Sequence, residues 1–370
     1  MRKALTLGVA TALAVLSAAT PAVAADDGFR GWHQPRCTTV TGGGSVTFTR
    51  DEGKTITPTS EVLHPIVYTS GLVTLDRPDT LLALSNNLLL TSGDAGCSWT
   101  PVGKVNGSYI ELVAARDGRA YAWDRDGNLS LVTPGEITPL TSPAGRLRGL
   151  GTDRRRGDHL RAADGSGQLY DSRDGGRTWR PLGVPAWPQD DLLMVYTTAF
   201  DPDNLDHVVL GAAGHGARVT FDGGRTWKTS TGLGEEGAKV NVFSATVSPA
   251  KPNIVYVMGL NLAESDAGAP SDGRHIYRSS DGGRTFTPVV DQGNGITLSN
   301  GPVLAAHPKD PGVLYFEFGT AWAATGTDIY TYDFRRNRVT TRHNDYDRVT
   351  SFAFNPSNAR VMYLGVAEEG

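Results

Sequence analysis

The sequence is poor in several things at once. Only two cysteines occur in 370 residues, which excludes a disulfide-stapled miniprotein and a metal-spaced Cys/His cluster. Lysine and arginine (35) fall short of aspartate and glutamate (39), so the basic surplus that draws proteins to nucleic acid or anionic lipid is missing. There is no His-Glu-x-x-His, no Gly-x-Ser-x-Gly and no phosphate-binding glycine loop, the usual marks of metalloproteases, serine hydrolases and nucleotide enzymes. No catalytic residue, metal ligand or cofactor is assigned. The 45 glycines and 21 prolines follow no collagen-like period, and 39% apolar residues suffice for a packed core, so fibre and disorder are excluded as well.

The one long apolar run is at the start. Arg2 and Lys3 precede the mainly apolar stretch from Ala4 to Ala19, and Ala22-Val23-Ala24 offers a small-residue cleavage site. This is the layout of a secretory signal, too short and too rich in Ala, Thr and Ser for a stable span. Cleavage near Ala24 leaves 346 residues with a net charge of -6, expected to be secreted. An oxidising compartment permits Cys37 and Cys97 to pair, the alternative being one buried and one exposed free thiol.

What is present is a repeat. Ser172 to Trp179, Thr220 to Trp227 and Ser279 to Phe286 share the octapeptide S/T-x-D-x-G-x-T/S-W/F, carried by Asp174, Gly176 and Trp179, by Asp222, Gly224 and Trp227, and by Asp281, Gly283 and Phe286. A fourth copy has Asp94, Gly96 and Trp99, and a fifth has Asp51 and Gly53 with Ile56 at the aromatic position. In such a turn the Asp carboxylate accepts backbone N–H groups across the bend, glycine takes the positive-φ position, and Thr with a large aromatic opens the next strand. Each copy is therefore predicted to be a hairpin fastened at its own turn, with no metal bound. Between copies lie strand-turn-strand units such as Phe200 to Gly211 and Phe354 to Gly365. About four strands per repeat make the blade of a β-propeller.

Spacing sets the blade number. The Asp positions are 43, 80, 48 and 59 residues apart, and the gap of 80 holds a worn copy at Thr133–Thr138, with another at Thr331–Asn337. Seven turns share 346 residues, about 49 each. The segment Val349 to Val366 supplies two strands without a box, and Ser45 to Ile56 a box without two preceding strands. The prediction is an all-β, seven-bladed propeller with four-stranded antiparallel blades over 37–370, closed where N-terminal strands join the C-terminal blade, after a signal peptide (1–24) and a tail (25–36).

The octapeptide resembles the Asp-box, or BNR repeat, of sialidases, sortilin-type receptors, xyloglucan-specific glycosidases and the photosystem II assembly factor family. That resemblance implies box turns on one face and functional residues on loops of the other. By position those loops carry Trp187, Asp190, Asp191, Glu235, Glu236, Trp322, His343, Asp345, Tyr346 and Asp347. A sialidase would show a Phe-Arg-Ile-Pro-like arginine ahead of its first box. Phe29-Arg30-Gly31-Trp32 lacks the Ile-Pro, which argues against that enzyme.

Two functions compete for the loop face. In size, export signal and box count the chain is similar to secreted bacterial propellers that act on a neutral metalloprotease and donate glutamines to a transglutaminase. The resemblance implies a monomeric, non-catalytic protein with an extracellular protein partner, a metalloprotease or a transglutaminase. Gln34, Gln189 and Gln292, in loop or tail sequence, are the candidate glutamine donors. The rival is a glycan-directed hydrolase or lectin of sialidase-like type, which needs carboxylates in a cleft and aromatic platforms such as Trp187 and Trp322.

Overall fold

The computed structural model describes residues 31–61, 67–187, 194–235, 237–318, 327–345 and 348–368. Strand β1 (Val46–Thr49) comes first. The first full sheet is β2 (Val67–Thr74), β3 (Leu81–Ser85), β4 (Leu88–Ser92) and β5 (Thr100–Lys104). The second is β6 (Glu111–Ala115), β7 (Arg119–Trp123), β8 (Leu129–Val132) and β9 (Ile137–Leu140), and the third β10 (Leu147–Asp153), β11 (Arg156–Asp164), β12 (Leu169–Ser172) and β13 (Arg180–Leu182). The fourth is β14 (Val195–Phe200), β15 (Val208–Ala212), β16 (Gly216–Thr220) and β17 (Lys228–Thr229). The fifth is β18 (Val240–Val247), β19 (Val255–Asn261), β20 (Arg274–Ser279) and β21 (Thr287–Val290), with the short helix α1 (Leu262–Asp266) after β19. The sixth is β22 (Leu304–Ala306), β23 (Val313–Phe318), β24 (Thr327–Asp333) and β25 (Arg338–Asp345).

The last two strands, β26 (Arg348–Phe354) and β27 (Met362–Glu368), pair with each other, and β27 pairs with β1 from Val46 opposite Gly365 to Thr49 opposite Met362. The seventh sheet is thus assembled from both ends of the described chain. At the other end of β27, Glu368 and Ala367 pair with Val67 and Tyr68 of β2, so the seventh and first sheets share hydrogen bonds.

The strand sequences explain this stacking. In each sheet the second strand is buried on both faces, as in Val208-Val-Leu-Gly-Ala212 and Val255-Tyr-Val-Met258. A strand apolar on both faces needs a cover on each side. The neighbouring sheets provide it. Leu82 and Leu84 pack with Ala120 and Val132, Tyr121 and Trp123 with Leu150 and Leu160, and Ala163 and Leu169 with Val208 and Leu210. Val209 and Val219 meet Val255 and Val257, Tyr256 and Met258 meet Leu314 and Phe316, and Tyr315 and Ile329 meet Met362 and Leu364. The series returns to its start where Phe48 and Tyr363 pack on Leu72 and Leu81. Each fully buried side chain of this size is worth about 1.5–3 kcal/mol. First strands approach one another across the middle, and at Gly149 and Gly151 of β10 an added Cβ would lie 2.5 Å from Thr198 and Phe200 of β14. The fourth strands β13 and β17 are short and exposed.

The octapeptides at Asp94, Asp174, Asp222 and Asp281 are the turns between third and fourth strands. The one at Asp51 follows β1, the third strand of the seventh sheet, which has three named strands among the described residues and not the four expected. In the third sheet Ser172 Oγ donates to Asp174 Oδ1 and accepts from Gly176 N at 2.9 Å, while Thr178 N donates to Oδ1 at 2.9 Å and its hydroxyl to Oδ2 at 2.6 Å. Thr220, Asp222, Gly224 and Thr226 repeat that pattern, as do the turns at Asp51 and Asp94. At Asp51, Asp94, Asp222 and Asp281 partial burial pushes the carboxyl pKa up, and the donors outweigh it, leaving each below its ordinary value. At Asp174 the Thr178 hydroxyl and amide lead, and the pKa falls to about 2. Gly176 and Gly224 have φ of 83° and 85°, the left-handed region that glycine enters without steric cost. Trp99 and Phe286 are buried, and each aromatic packs on the preceding sheet: Trp99 on the seventh, Trp179 on the second, Trp227 on the third and Phe286 on the fourth.

Cys37 and Cys97 form a disulfide with Cα atoms 5.7 Å apart. Cys97 lies inside the first sheet's octapeptide, where Thr41 N donates to Cys97 O and Trp99 N to Thr41 O, both at 3.0 Å. The stretch read as a tail is, from Trp32 on, part of the packing. Trp32 is buried and donates to Leu75 O at 3.1 Å, His33 N donates to Asp79 Oδ1 at 2.6 Å, and Asn355 Nδ2 donates to His33 O at 2.8 Å. The expected leader and Ala24 lie outside the described residues. Among the described residues no helix is long and apolar enough to cross a membrane.

Candidate functional site

Successive strands of a sheet alternate in direction, so the octapeptide turns share one face with the turns between first and second strands. The turns between second and third strands, and the crossings from sheet to sheet, form the opposite face. First strands begin on that face, and because they line the middle their opening residues surround a central mouth.

Glu111 opens β6, Arg146 and Arg148 lie at the start of β10, Tyr196 follows the first residue of β14, and Phe243 lies in β18. Arg125, in the turn between β7 and β8, reaches Tyr196 O with Nη2 at 3.5 Å, and Arg148 Nη1 donates to Arg125 O at 3.4 Å and to Leu147 O at 2.7 Å. The Tyr196 and Phe243 rings are 4.8 Å apart, and Tyr68 meets the exposed Tyr109 edge-on at 5.7 Å. Burial lowers the Arg148 pKa, and the like charges of Arg125 and Arg146 add to it. The Glu111 side chain is exposed at the opening of β6. Partial loss of hydration raises its carboxyl pKa against the opposing pull of Arg125. The mouth thus joins three guanidiniums, whose mutual repulsion Asp126 and Asp164 partly offset at Arg148, two aromatic pairs and the Glu111 carboxyl. An acidic group entering it would relieve the arginines, and an apolar one would find rings to cover.

Some predicted loop residues lie near this face and others do not serve it. Trp187 is 5% exposed, stacked by Arg218 at 5.2 Å and edge-on to His215 at 6.4 Å. It is a packing residue and offers no open platform, because burial of its ring covers the third and fourth sheets' seam. Glu235 is exposed in the turn it closes with Ala238 N. His343 and Asp345 lie at the loop-face end of β25, opposite Ile329 and Thr327. Gln189, Asp190, Asp191, Glu236, Trp322, Tyr346 and Asp347 lie outside the described residues. Gln34 is exposed, whereas Gln292 is half-buried in a capped 3₁₀ turn and donates to Ser271 O at 3.3 Å. Gln292 also lines a cleft of about 540 Å³ with Pro270, Ile296, Tyr330 and Thr341. Among the described residues no group of three or more His, Cys, Asp or Glu side chains is placed to hold a metal ion.

Sequence reasoning missed Glu111, Arg125, Arg146, Arg148, Tyr196 and Phe243. They come from the starts of first strands, from within β18 and from the turn between β7 and β8, in four different sheets, and only the radial arrangement of the sheets brings them together. The available signal was positional: charged or aromatic residues at the start of the first strand in several repeats, as at Tyr68, Glu111, Arg148 and Tyr196.

No family model matches the chain. It is 48% identical over 356 residues to the dispase autolysis-inducing protein of Streptomyces mobaraensis, covering 96% of this chain and 95% of that protein. Among solved structures, YCF48 bound to D1 peptide superposes with a TM-score of 0.56 at 11% identity, over 90% of this chain and 100% of that one. YCF48 from Cyanidioschyzon merolae gives 0.58 at 12% identity, over 82% and 97%. The GH74 xyloglucanase from Xanthomonas campestris gives 0.52 at 15% identity, over 74% of this chain and 46% of that one. At these identities the likeness to solved structures is one of fold.

Proposed function

This chain belongs to the family of the dispase autolysis-inducing protein, and on that premise we propose that it is a secreted, non-catalytic propeller whose loop face binds an extracellular protein, a neutral metalloprotease in the first place. The observation that carries this reading is the central mouth, where Arg125, Arg146 and Arg148 converge with Tyr196 and Phe243. Arg125 and Arg148 donate to backbone acceptors on a stacked scaffold, so little of their side-chain freedom is left to lose on association. Their mutual repulsion favours a partner segment that presents a carboxylate next to an apolar side chain. Export follows from the leader ending near Ala24, and the octapeptides serve as Asp-boxes, structural clasps and not ligand sites. Exposed Gln34 is the first candidate for a transglutaminase substrate, ahead of the hydrogen-bonded Gln292.

The alternative is a glycan-directed hydrolase or lectin at the same mouth, and the raised carboxyl pKa of Glu111 beside aromatic rings is what speaks for it. Hydrolysis of a glycosidic bond calls for two carboxyl groups about 5–10 Å apart. Glu111, together with Asp126 and Asp164 near Arg148, supplies the carboxyls from which such a pair would be drawn.

The test is the rate of self-cleavage of a neutral metalloprotease with the mature protein, wild type or carrying Arg148→Ala with Tyr196→Ala. Wild type is expected to accelerate loss of the protease, and the double variant to need at least about tenfold more protein for the same effect, the loss of roughly 1.4 kcal/mol of binding. Equal potency of both, or release of free sugar from a glycan panel, would overturn the reading.

A further inference from the structure

The turn between β24 and β25 departs from the repeat in a directed way. With Asp333 aligned on the clasp aspartates, Thr331 keeps the leading hydroxyl, but Arg335 replaces the second glycine, Asn337 the Thr or Ser, and Arg338 the aromatic. Thr331 Oγ1 accepts from Arg342 Nε at 2.9 Å, and Asp333 Oδ1 accepts from the amides of Arg335 and Arg336 at 3.0 and 3.3 Å. A clasp has become a basic turn.

Beside it, on the octapeptide face and away from the mouth, is a cleft of about 410 Å³ that extends to Glu52 of the seventh sheet. Its three carboxylates are each matched by an arginine. Arg335 pairs with Asp310 at 2.8 Å, Arg336 with Asp333 at 3.2 Å and Arg342 with Glu52 at 3.3 Å, and Arg360 adds a second cation to Glu52 at 3.6 Å. Arg338 lines the cleft, is exposed, and has no ion-pair partner among the described residues. Thr331, Thr340 and Tyr315 also line it and carry hydroxyls.

We propose that this cleft binds a tetrahedral oxyanion, a phosphate or sulfate group, through Arg338 and the neighbouring guanidiniums. A guanidinium fork beside hydroxyl donors suits the several acceptor oxygens of such a group. The surplus of cations is local, since the whole chain has a net charge of -4, so the site does not reflect a generally basic surface. The ligand is free inorganic phosphate, a phosphate ester or a sulfate ester.

Calorimetric titration at low ionic strength tests this on the full mature chain, wild type, Arg338→Ala and Arg177→Ala. Arg177 lies at the intact third-sheet clasp and donates to Asp174 O, so its loss removes the same charge elsewhere. Saturable binding of inorganic phosphate, weakened about tenfold by Arg338→Ala and less than about twofold by Arg177→Ala, is expected for one charge-assisted contact. Parallel titrations with a sugar phosphate and a sulfated monosaccharide identify the source by the tightest of the three. Unsaturable binding of all three, or equal weakening by both substitutions, would overturn the site.

Discussion

At the residue scale, the carboxyl of Glu317 shows what enclosure does to a charge. It is buried in β23, one oxygen accepts from Val303 N at 3.0 Å, and the other has no hydrogen-bond partner among the described residues. Burial raises its pKa to about 8, with the Val303 amide opposing, from an ordinary 4.5. The folded state therefore keeps a proton that the unfolded chain releases. This contribution is fully present below pH 4.5 and is lost as pH rises towards 8. Glu317→Gln, neutral at every pH, is expected to be more stable than wild type by about 1–3 kcal/mol near pH 8, with the gap closing towards pH 4. Denaturant unfolding at both pH values measures it, and a gap that does not change with pH would contradict the assignment. Glu317 lies in the otherwise apolar strand Val313–Phe318. Its burial is set by how the sheets pack, which local pattern does not reveal.

At the element scale, the clasp is the part the sequence states most directly, because all its partners lie within eight residues. The Asp, the hydroxyls and the glycine each take the role their chemistry predicts, and even Ala95 and Glu52 adopt positive φ (58° and 64°) where other copies have glycine. Since donors hold each clasp carboxyl below its ordinary pKa of 3.8, the clasp's stability is present above about pH 4 and is lost as pH falls through the folded pKa. Asp222→Ala is expected to cost about 1 kcal/mol at pH 7, comparable to loss of a helix cap, and to cost less at pH 2. Thermal unfolding at the two pH values checks this, and an equal cost at both would show that the carboxylate charge does not matter. The worn turns were legible as positions but not as chemistry: at Thr331 to Arg338 the spacing locates the turn, while the pairing of each arginine depends on Glu52 and Asp310 from distant parts of the chain.

At the scale of the whole molecule, both ends meet in one place. β1 pairs with β27, β27 with β2, and the Cys37–Cys97 disulfide fastens the segment before β1 to the first sheet's clasp across 60 residues. Removing that link with Cys37→Ser and Cys97→Ser is expected to cost about 4 kcal/mol from loop entropy, with folding retained because the seam of Phe48, Tyr363 and Leu72 remains. Denaturant midpoints would show it, and an unchanged midpoint would mean that the link restrains nothing. Blade number and the joining of the ends could be counted from repeat spacing. The mouth could not, since its residues share no sequence neighbourhood and meet only through the radial order of the sheets. Amide hydrogen exchange of the protein alone and with a neutral metalloprotease bound locates the binding face. Slowed exchange at the starts of β6, β10, β14 and β18 and in the turn around Arg125, with the octapeptide turns unaffected, is the predicted result. Slowed exchange at the turns of Asp174 and Asp222, with the mouth unaffected, would contradict it.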